Sequence, residues 1–507
     1  MDKIWLKSYP ANVKHEIDPN EYSSLSDLLN QAFQKHGDTP FSVCMEKWMS
    51  YRELDQLSQA LGAWFQAQGL PAGSRIALML PNLPQFSVTM AAVLRAGYTC
   101  VNVNPLYTAR ELEHQLKDSG ASAIVILENF AATLSEVIEH TQIQHTVLAS
   151  IGDLLGPFYG RWMTFAVRHL AKMVPEFELP LSDKHKVTSF KQAISEGRQL
   201  TFKSVPQSLD DIAFLQYTGG TTGLSKGAVL THRNIVAAIL QAETWFAPAL
   251  ERMPDLRKVN SIAALPLYHI FALTLCFLAI RQGSHLTLVP NPRDFGKFIE
   301  TLKSRPFHLL PGVNTLFNAL LQHPMFKTID FSHLCLTQAG GMAASEGTAR
   351  AWQAATGSAM IEGWGMSETC AIGTNNPVTQ TSFSGSIGLP LPSIDMAIKD
   401  EQGNSLAQGE SGEICIRGPN VMVGYYKQEE ETRKAFTPDG YMRTGDVGIM
   451  DERGFFRIVD RIKDMIIVSG FNVFPSELEN VISLCPGVLE CAAIGIPDAM
   501  QGETIKV

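Results

Sequence analysis

The sequence predicts an α/β protein with a large N-terminal domain, residues 1–459, and a small, truncated and mobile α+β C-terminal domain, residues 460–507. The large domain is read as βαβ-type subdomains with parallel-rich sheets, plus a small β-rich subdomain at about 385–459. Three observations carry this. Strand-like apolar runs alternate with helical patterns between residues 74 and 127, the rhythm of a parallel sheet covered by helices. After about Gly385 the texture changes to short alternating runs separated by glycines, such as GEICIRG (412–418). At 507 residues the chain is too long for a single core.

Each element has its own signal. SRIALML (74–80) is a continuous apolar run of strand length. FSVTMAAVLRAG (86–97) is helical and stops at a glycine, and TCVNVNP (99–105) is the next strand. Thr108 and Glu111 form a capping box, Leu112 and Leu116 share one helical face, and Gly120 follows the helix end. SAIVIL (122–127) is again a strand. The nineteen residues IAALPLYHIFALTLCFLAI (262–280) approach membrane-spanning length. Pro266, Tyr268 and His269 near their start favour a buried strand, a loop and a buried helix instead. HLLPGVNTLFNALLQ (308–322) and CLTQAGG (335–341) read as strand-to-loop transitions, and the charges of DRIKD, from Asp460, mark a hinge.

The segment FYGRWMTFAVRHLAKMV (158–174) stands apart. On a helical wheel Phe158, Trp162, Phe165, Ala166, Leu170 and Met173 share one arc, and Arg161, Arg168 and Lys172 the neighbouring one. Aromatic residues beside a basic face suit a membrane surface, and the same pattern also suits a helix packed on the core.

A net charge of −9 argues against a nucleic-acid partner, which calls for a basic surface. Hydrophobic content of 45% and charged content of 18% exclude a disordered chain. The eight cysteines show no CxxC pair and no zinc-ligand spacing, so free thiols in a reducing cytoplasm are expected. The opening MDKIWLKSYPANVKHEID has no apolar run of signal-peptide length. Segment 158–174 leaves peripheral attachment to the inner face of the cell membrane open, and a homodimer is open as well.

Chemistry concentrates in YTGGTTGLSKG (217–227). The P-loop pattern fails because Lys226 stands between Ser225 and Gly227. Glycines still let backbone N–H groups approach a phosphate, hydroxyls add donors, and Lys226 adds charge. DDIAFLQ before it ends as a strand and GAVLTHRNI after it reads as a second strand and then a helix start, so this loop joins two strands instead of opening a helix.

In that setting YTGGTTGLSKG resembles the phosphate-loop signature of the adenylate-forming superfamily of acyl-CoA synthetases, luciferases and peptide-synthetase adenylation domains. PLYHIFAL (266–273) resembles its acyl-pocket motif, EGWGMSE (362–368) its YGxTE motif, YMRTGDVG (441–448) its ribose-binding motif, and DRIKDMIIVSGFNVFPSELE (460–479) its hinge and C-terminal domain. NVNPLYTARELEHQL looks specifically like bacterial long-chain fatty-acyl-CoA synthetases, and the resemblance covers essentially the whole chain.

The resemblance implies ATP-dependent activation of a fatty acid to an acyl-adenylate, then transfer to the thiol of CoA with release of AMP. It implies no enzyme nucleophile, which fits a sequence without a Ser-His-Asp arrangement. Thr218, Gly219, Gly220, Thr221, Thr222, Gly223 and Lys226 would cradle the β- and γ-phosphates. Thr218 and Glu368 would hold Mg²⁺ with ATP. Gly340, Gly341 and Met342 would line the adenine and Trp364 would stack on it, Gly365 and Ser367 would also belong to the ATP/AMP site, and Asp446 and Arg461 would hold the ribose. Lys226, Glu368 and His269 are the implied catalytic residues. His269, Leu273, Gly312, Val313 and Thr315 would form the acyl pocket. Lys463 would be the hinge, and Ser469, Gly470 and Phe471 would meet CoA.

Trp364 departs from the family's tyrosine. The π-face for stacking survives, while the hydroxyl is lost. Ile270 and Phe271 follow His269 where adenylation domains place an acid for a substrate amine, which suits an unsubstituted acyl chain. The resemblance also implies further chain after Val507, with a lysine that contacts the carboxylate and α-phosphate. No lysine here matches it, so the 507-residue chain is expected to bind ATP or AMP and to adenylate poorly. An aryl- or medium-chain acid:CoA ligase and a non-catalytic adenylate-binding copy are the alternative readings.

Overall fold

The βαβ rhythm closes into two parallel-rich sheets, followed by two small antiparallel ones. The computed structural model describes residues 3–182, 184–218, 225–251, 255, 258–468, 471–482, 485, 487–488, 491–498 and 502–507. The first sheet has eight strands, in the order Gly424–Tyr425, Gly227–Thr231, Ile212–Tyr217, Thr99–Asn102, Arg75–Met79, Ala123–Leu127, His145–Ala149, Lys186–Ser189. From Ile212–Tyr217 to Lys186–Ser189 all neighbours are parallel, and the first two strands are antiparallel additions. The second sheet has nine strands, with a parallel centre running from Met360–Trp364 through Leu336–Ala339, Leu309–Gly312, Asn260–Ala263 and His285–Leu288 to Pro40–Cys44. Parallel strands covered on both faces must be apolar throughout, which is why Ala123–Leu127 is buried at every residue.

Local chemistry sets the connections. The helix Pro84–Arg95 begins two residues before the predicted start because Pro84 fits the first turn, where no N–H is needed. Thr108 and Glu111 make the predicted reciprocal cap, and Gly120 ends that helix at φ +60°. The 262–280 run divides as predicted into the strand Asn260–Ala263 and the helix Ile270–Gln282. Among the described residues no helix is long and apolar enough to cross a membrane.

Two expectations need correction. The stretch 308–322 is a strand, Leu309–Gly312, that runs almost directly into a helix, Asn314–Gln322, instead of a loop. Pro311 lies within the strand, and Leu316, Phe317 and Leu320 form the buried helical stripe behind it. In 158–174 the aromatic arc does not pack on the core: the helix Pro157–Phe165 buries Gly160, and Phe158, Trp162 and Phe165 face outward. The 17-residue helix Tyr51–Ala67 escaped the sequence reading, although Ser50 and Glu53 spell its capping box.

The β-rich texture after Gly385 becomes a four-stranded antiparallel sheet, Asp395–Lys399, Gly412–Arg417, Met442–Met450 and Phe456–Arg461. A second four-stranded antiparallel sheet follows, ordered Phe471–Val473, Ile466–Val468, Gly502–Lys506, Ile494–Asp498.

Candidate active site

The strands Ile212–Tyr217 and Gly227–Thr231 pair antiparallel, so the glycine-rich loop hangs between two strands as the sequence predicts. Its base is closed by Thr218 N–H donating to the Lys226 carbonyl at 3.0 Å. Gly219, Gly220, Thr221, Thr222 and Gly223 lie outside the described residues. Lys226 leaves the loop toward two groups that the sequence reading missed. It pairs with Glu431, on the helix Glu429–Ala435, and its ammonium stands 5.2 Å from the ring centroid of Tyr425. The Tyr425 hydroxyl donates to Glu368 Oε1 at 2.8 Å.

This grouping follows from the sheet edge. Gly424–Tyr425 pairs with Gly227–Thr231, setting Tyr425 opposite Ala228. Met422 N–H donates to the Glu368 carbonyl at 2.7 Å, which ties the Glu368 turn to the same edge. Glu368 is buried, and burial pushes its pKa up. The Tyr425 hydrogen bond and the Lys226 charge act the other way, and Asp446 adds to the rise. A buried carboxylate so placed favours a cation. Among the described residues no cluster of three or more His, Cys, Asp or Glu could cage a metal. Glu368 supplies a single carboxylate, and Mg²⁺ commonly takes its remaining ligands from phosphates and water.

Asp446 sits on the strand Met442–Met450, directly opposite Arg461 in the ladder, and is buried. Arg461 Nε lies 3.1 Å from its Oδ1, and the Trp364 indole N–H donates to its Oδ2 at 2.9 Å. Burial raises the Asp446 pKa, and Arg461, Trp364 and Lys463 oppose that rise. Trp364 is therefore more than a flat surface: it brings a donor to the acid matched to the ribose.

Glycines make room on the cleft floor. Gly340 N–H donates to Gly312 O at 3.2 Å, and a Cβ on Gly340 would lie 3.2 Å from the Phe271 ring. Gly341 has φ +79°, and Gly365 has the Ala371 carbonyl carbon 2.3 Å from where its Cβ would stand. Met342 is exposed, and Ser367 opens the short turn Ser367–Thr369 that carries Glu368. Glu362, missed in the sequence, is buried beside Gly363 and accepts from Ala344 N–H at 2.8 Å. Burial pushes its pKa up to about 7.

His269 caps the helix Ile270–Gln282, its Nδ1 accepting from Phe271 N–H at 3.3 Å. Water reaches the ring in the open cleft, yet the walls around it displace enough solvent to lower its pKa and favour the neutral form. The wall beyond it comes from Phe271, Thr274, Leu275, Ile372 and Leu391. Leu273, matched to the acyl pocket by motif position, instead turns fully into the core. Gly312 is covered by Phe317, Thr315 is exposed, and Val313 is half-buried next to Gly341. Lys463 is exposed in the turn Ile462–Asp464 just beyond Arg461. Ser469 and Gly470 lie outside the described residues, and Phe471 begins the strand Phe471–Val473.

Residues 29–426 match the family described as AMP-binding enzyme. The chain belongs to that family. Among curated members, a long-chain-fatty-acid–CoA ligase of Yersinia pestis is 46% identical, covering 100% of this chain and 89% of its own length. A long-chain-fatty-acid–CoA ligase of Haemophilus influenzae is 44% identical over the same shares, 100% and 89%. Among solved structures, ATP-bound MatB from Rhodopseudomonas palustris aligns at TM-score 0.77 and 27% identity, covering 95% of this chain and 87% of that one. The parallel-rich sheets with their covering helices are thus the architecture of this family.

Proposed function

We propose that this family member is a long-chain fatty acid:CoA ligase that works through an acyl-adenylate. The observation that carries the reading is the cleft itself. A clamp of Trp364, Asp446 and Arg461 stands at one side. The adjoining wall is apolar, and His269 is its one titratable side chain among the described lining residues. Such a wall accepts an uncharged chain, while the polar end of the cleft takes its carboxylate.

In the first half-reaction a carboxylate oxygen attacks the α-phosphorus of ATP and pyrophosphate leaves. Thr218 and Lys226 bind the departing phosphates, and Lys226 exchanges Glu431 for them. Glu368 would hold Mg²⁺, which when bound neutralises phosphate charge. Asp446 accepts from the ribose hydroxyls while Trp364 and Arg461 fix its carboxylate. His269, kept neutral, borders the new acyl-phosphate without adding charge. In the second half-reaction the CoA thiol attacks the acyl carbonyl, AMP leaves, and the thiol proton passes to solvent. Lys463 serves as the hinge that brings Ser469, Gly470 and Phe471 toward CoA between the two steps.

Calorimetry with stable acyl-adenylate analogues tests the reading. A palmitoyl analogue should bind at least about tenfold more tightly than a benzoyl one, since each buried methylene adds about 0.8 kcal/mol. Tighter benzoyl binding would transfer the protein to aryl acids. No binding of either analogue or of ATP with Mg²⁺ would remove the enzyme reading.

A further inference from the structure

The helix Pro157–Phe165 and the turn Ala166–Leu170 that continues it expose an apolar face that the proposed chemistry does not use. Phe158 is 85% exposed, Trp162 56%, Phe165 49%, Leu170 62% and Met173 58%. Phe158, Trp162 and Phe165 follow helical spacing onto one face, and the rings of Trp162 and Phe165 stack at 6.1 Å. Single exposed apolar residues are ordinary, whereas a contiguous aromatic patch marks an interaction surface.

The inner face of the segment imposes this outward orientation. A Cβ on Gly160 would lie 2.1 Å from Gly152 O, and one on Gly152 would lie 1.9 Å from Gly160 O. The two backbones therefore touch, and the helix cannot roll its aromatics inward without a clash. Val167 is buried on the same side. Arg168 donates from Nε to Glu128 Oε2 at 2.8 Å, and the Glu128 side chain is buried. Asn129 Nδ2 donates to Met173 O at 2.9 Å. Arg168 thus leaves the basic arc that the sequence assigned to it and becomes a staple. Arg161 and Lys172 remain exposed beside the aromatic face.

Charge selects the occupant. Residues 154–175 contain no Asp or Glu in a chain whose net charge is −9. In a symmetric pair of copies this face would set Arg161 and Lys172 against their own equivalents, so a second copy is disfavoured. We propose that 157–173 docks the protein onto an anionic membrane surface. Phe158, Trp162, Phe165, Leu170 and Met173 enter the interfacial layer, and Arg161 and Lys172 meet lipid phosphates. At nine residues the helix is about 14 Å long and lies along the surface without spanning it. The inference goes beyond the ligase reading and stands without it.

Flotation of the 507-residue chain tests it, using phosphatidylglycerol–phosphatidylethanolamine vesicles against phosphatidylcholine vesicles. The chain should float with the anionic vesicles. The Phe158→Ser/Trp162→Ser variant should lose about tenfold or more in partitioning, and Arg161→Glu/Lys172→Glu a similar amount on anionic vesicles. Because these side chains are exposed, each variant should melt within about 2 °C of the parent. Trp162→Phe should also abolish most of the vesicle-induced blue shift in tryptophan emission. Absence of flotation on anionic vesicles, or equal partitioning of both double variants and parent, overturns the proposal. Loss of a dimer in the Phe158→Ser/Trp162→Ser variant with flotation unchanged would assign the face to a second copy and likewise overturn it.

Discussion

Tyr425 joins the lysine of the glycine-rich loop to the buried carboxylate: its ring lies under Lys226 and its hydroxyl holds Glu368. Tyr425→Phe keeps the ring and removes the hydroxyl. We expect ATP–Mg²⁺ affinity to fall about tenfold, the loss of one charge-assisted hydrogen bond, with AMP affinity nearly unchanged. Calorimetry with both nucleotides checks this, and an equal loss for AMP would contradict it. Glu362 carries a second prediction. Its folded-state pKa, raised from 4.5 to about 7, means that the native protein holds a proton the unfolded chain has released. Its contribution to stability is therefore present below the lower value and lost as pH rises through the higher one. Glu362→Gln cannot ionise, so at pH 8 it should exceed the parent by on the order of 2–3 kcal/mol, and the two should converge near pH 4.5. Thermal melts across that range measure it. Neither residue was legible beforehand. Tyr425 reaches the site only through sheet pairing, and Glu362 owes its environment to the burial around it. Trp364 was half legible: its ring could be read from the motif, but its N–H bond to Asp446 required the fold.

At the scale of elements, legibility followed how local the signal was. The cap at Thr108 and the stop at Gly120 involve neighbours in sequence and were read correctly. The helix after Gly312 was missed because Pro311 masked the change of period. The wheel of 158–174 left a surface-facing arc and a core-packed arc both open, because hydrophobicity alone does not tell burial from an exposed apolar face; the fold exposes the arc. Likewise Leu273 and Leu275 share a helix and an apolar character, yet one points into the core and the other into the cleft. The cleft floor offers an element-level test. Gly340→Ala would bring a methyl to 3.2 Å from Phe271 and 3.3 Å from Gly363 O, narrowing the space for an adenine. Nucleotide affinity should drop about tenfold with little change in melting temperature, since the strand Leu336–Ala339 ends just before it. Unchanged affinity would place the base elsewhere.

Across the whole molecule, parallel-rich sheets and a β-rich unit after Gly385 were visible as changes in sequence period, while the division of the former into two sheets was not. Their mutual placement was not, because it depends on contacts between distant segments. Asn82, for instance, bonds the carbonyls of Ala263 and Leu265, and Asn234 those of Pro419 and Val421. Such long-range bonds bring Lys226, Glu368 and Asp446, from three separate stretches of chain, around one cleft. The proposed ligase passes an acyl group from adenylate to CoA within this cleft. The direct measurement supplies palmitoyl-adenylate and CoA to the protein and quantifies products by mass spectrometry. One palmitoyl-CoA and one AMP should form for each adenylate consumed, at a rate well above the protein-free control. Palmitate and AMP without thioester, or no difference from the control, would contradict it.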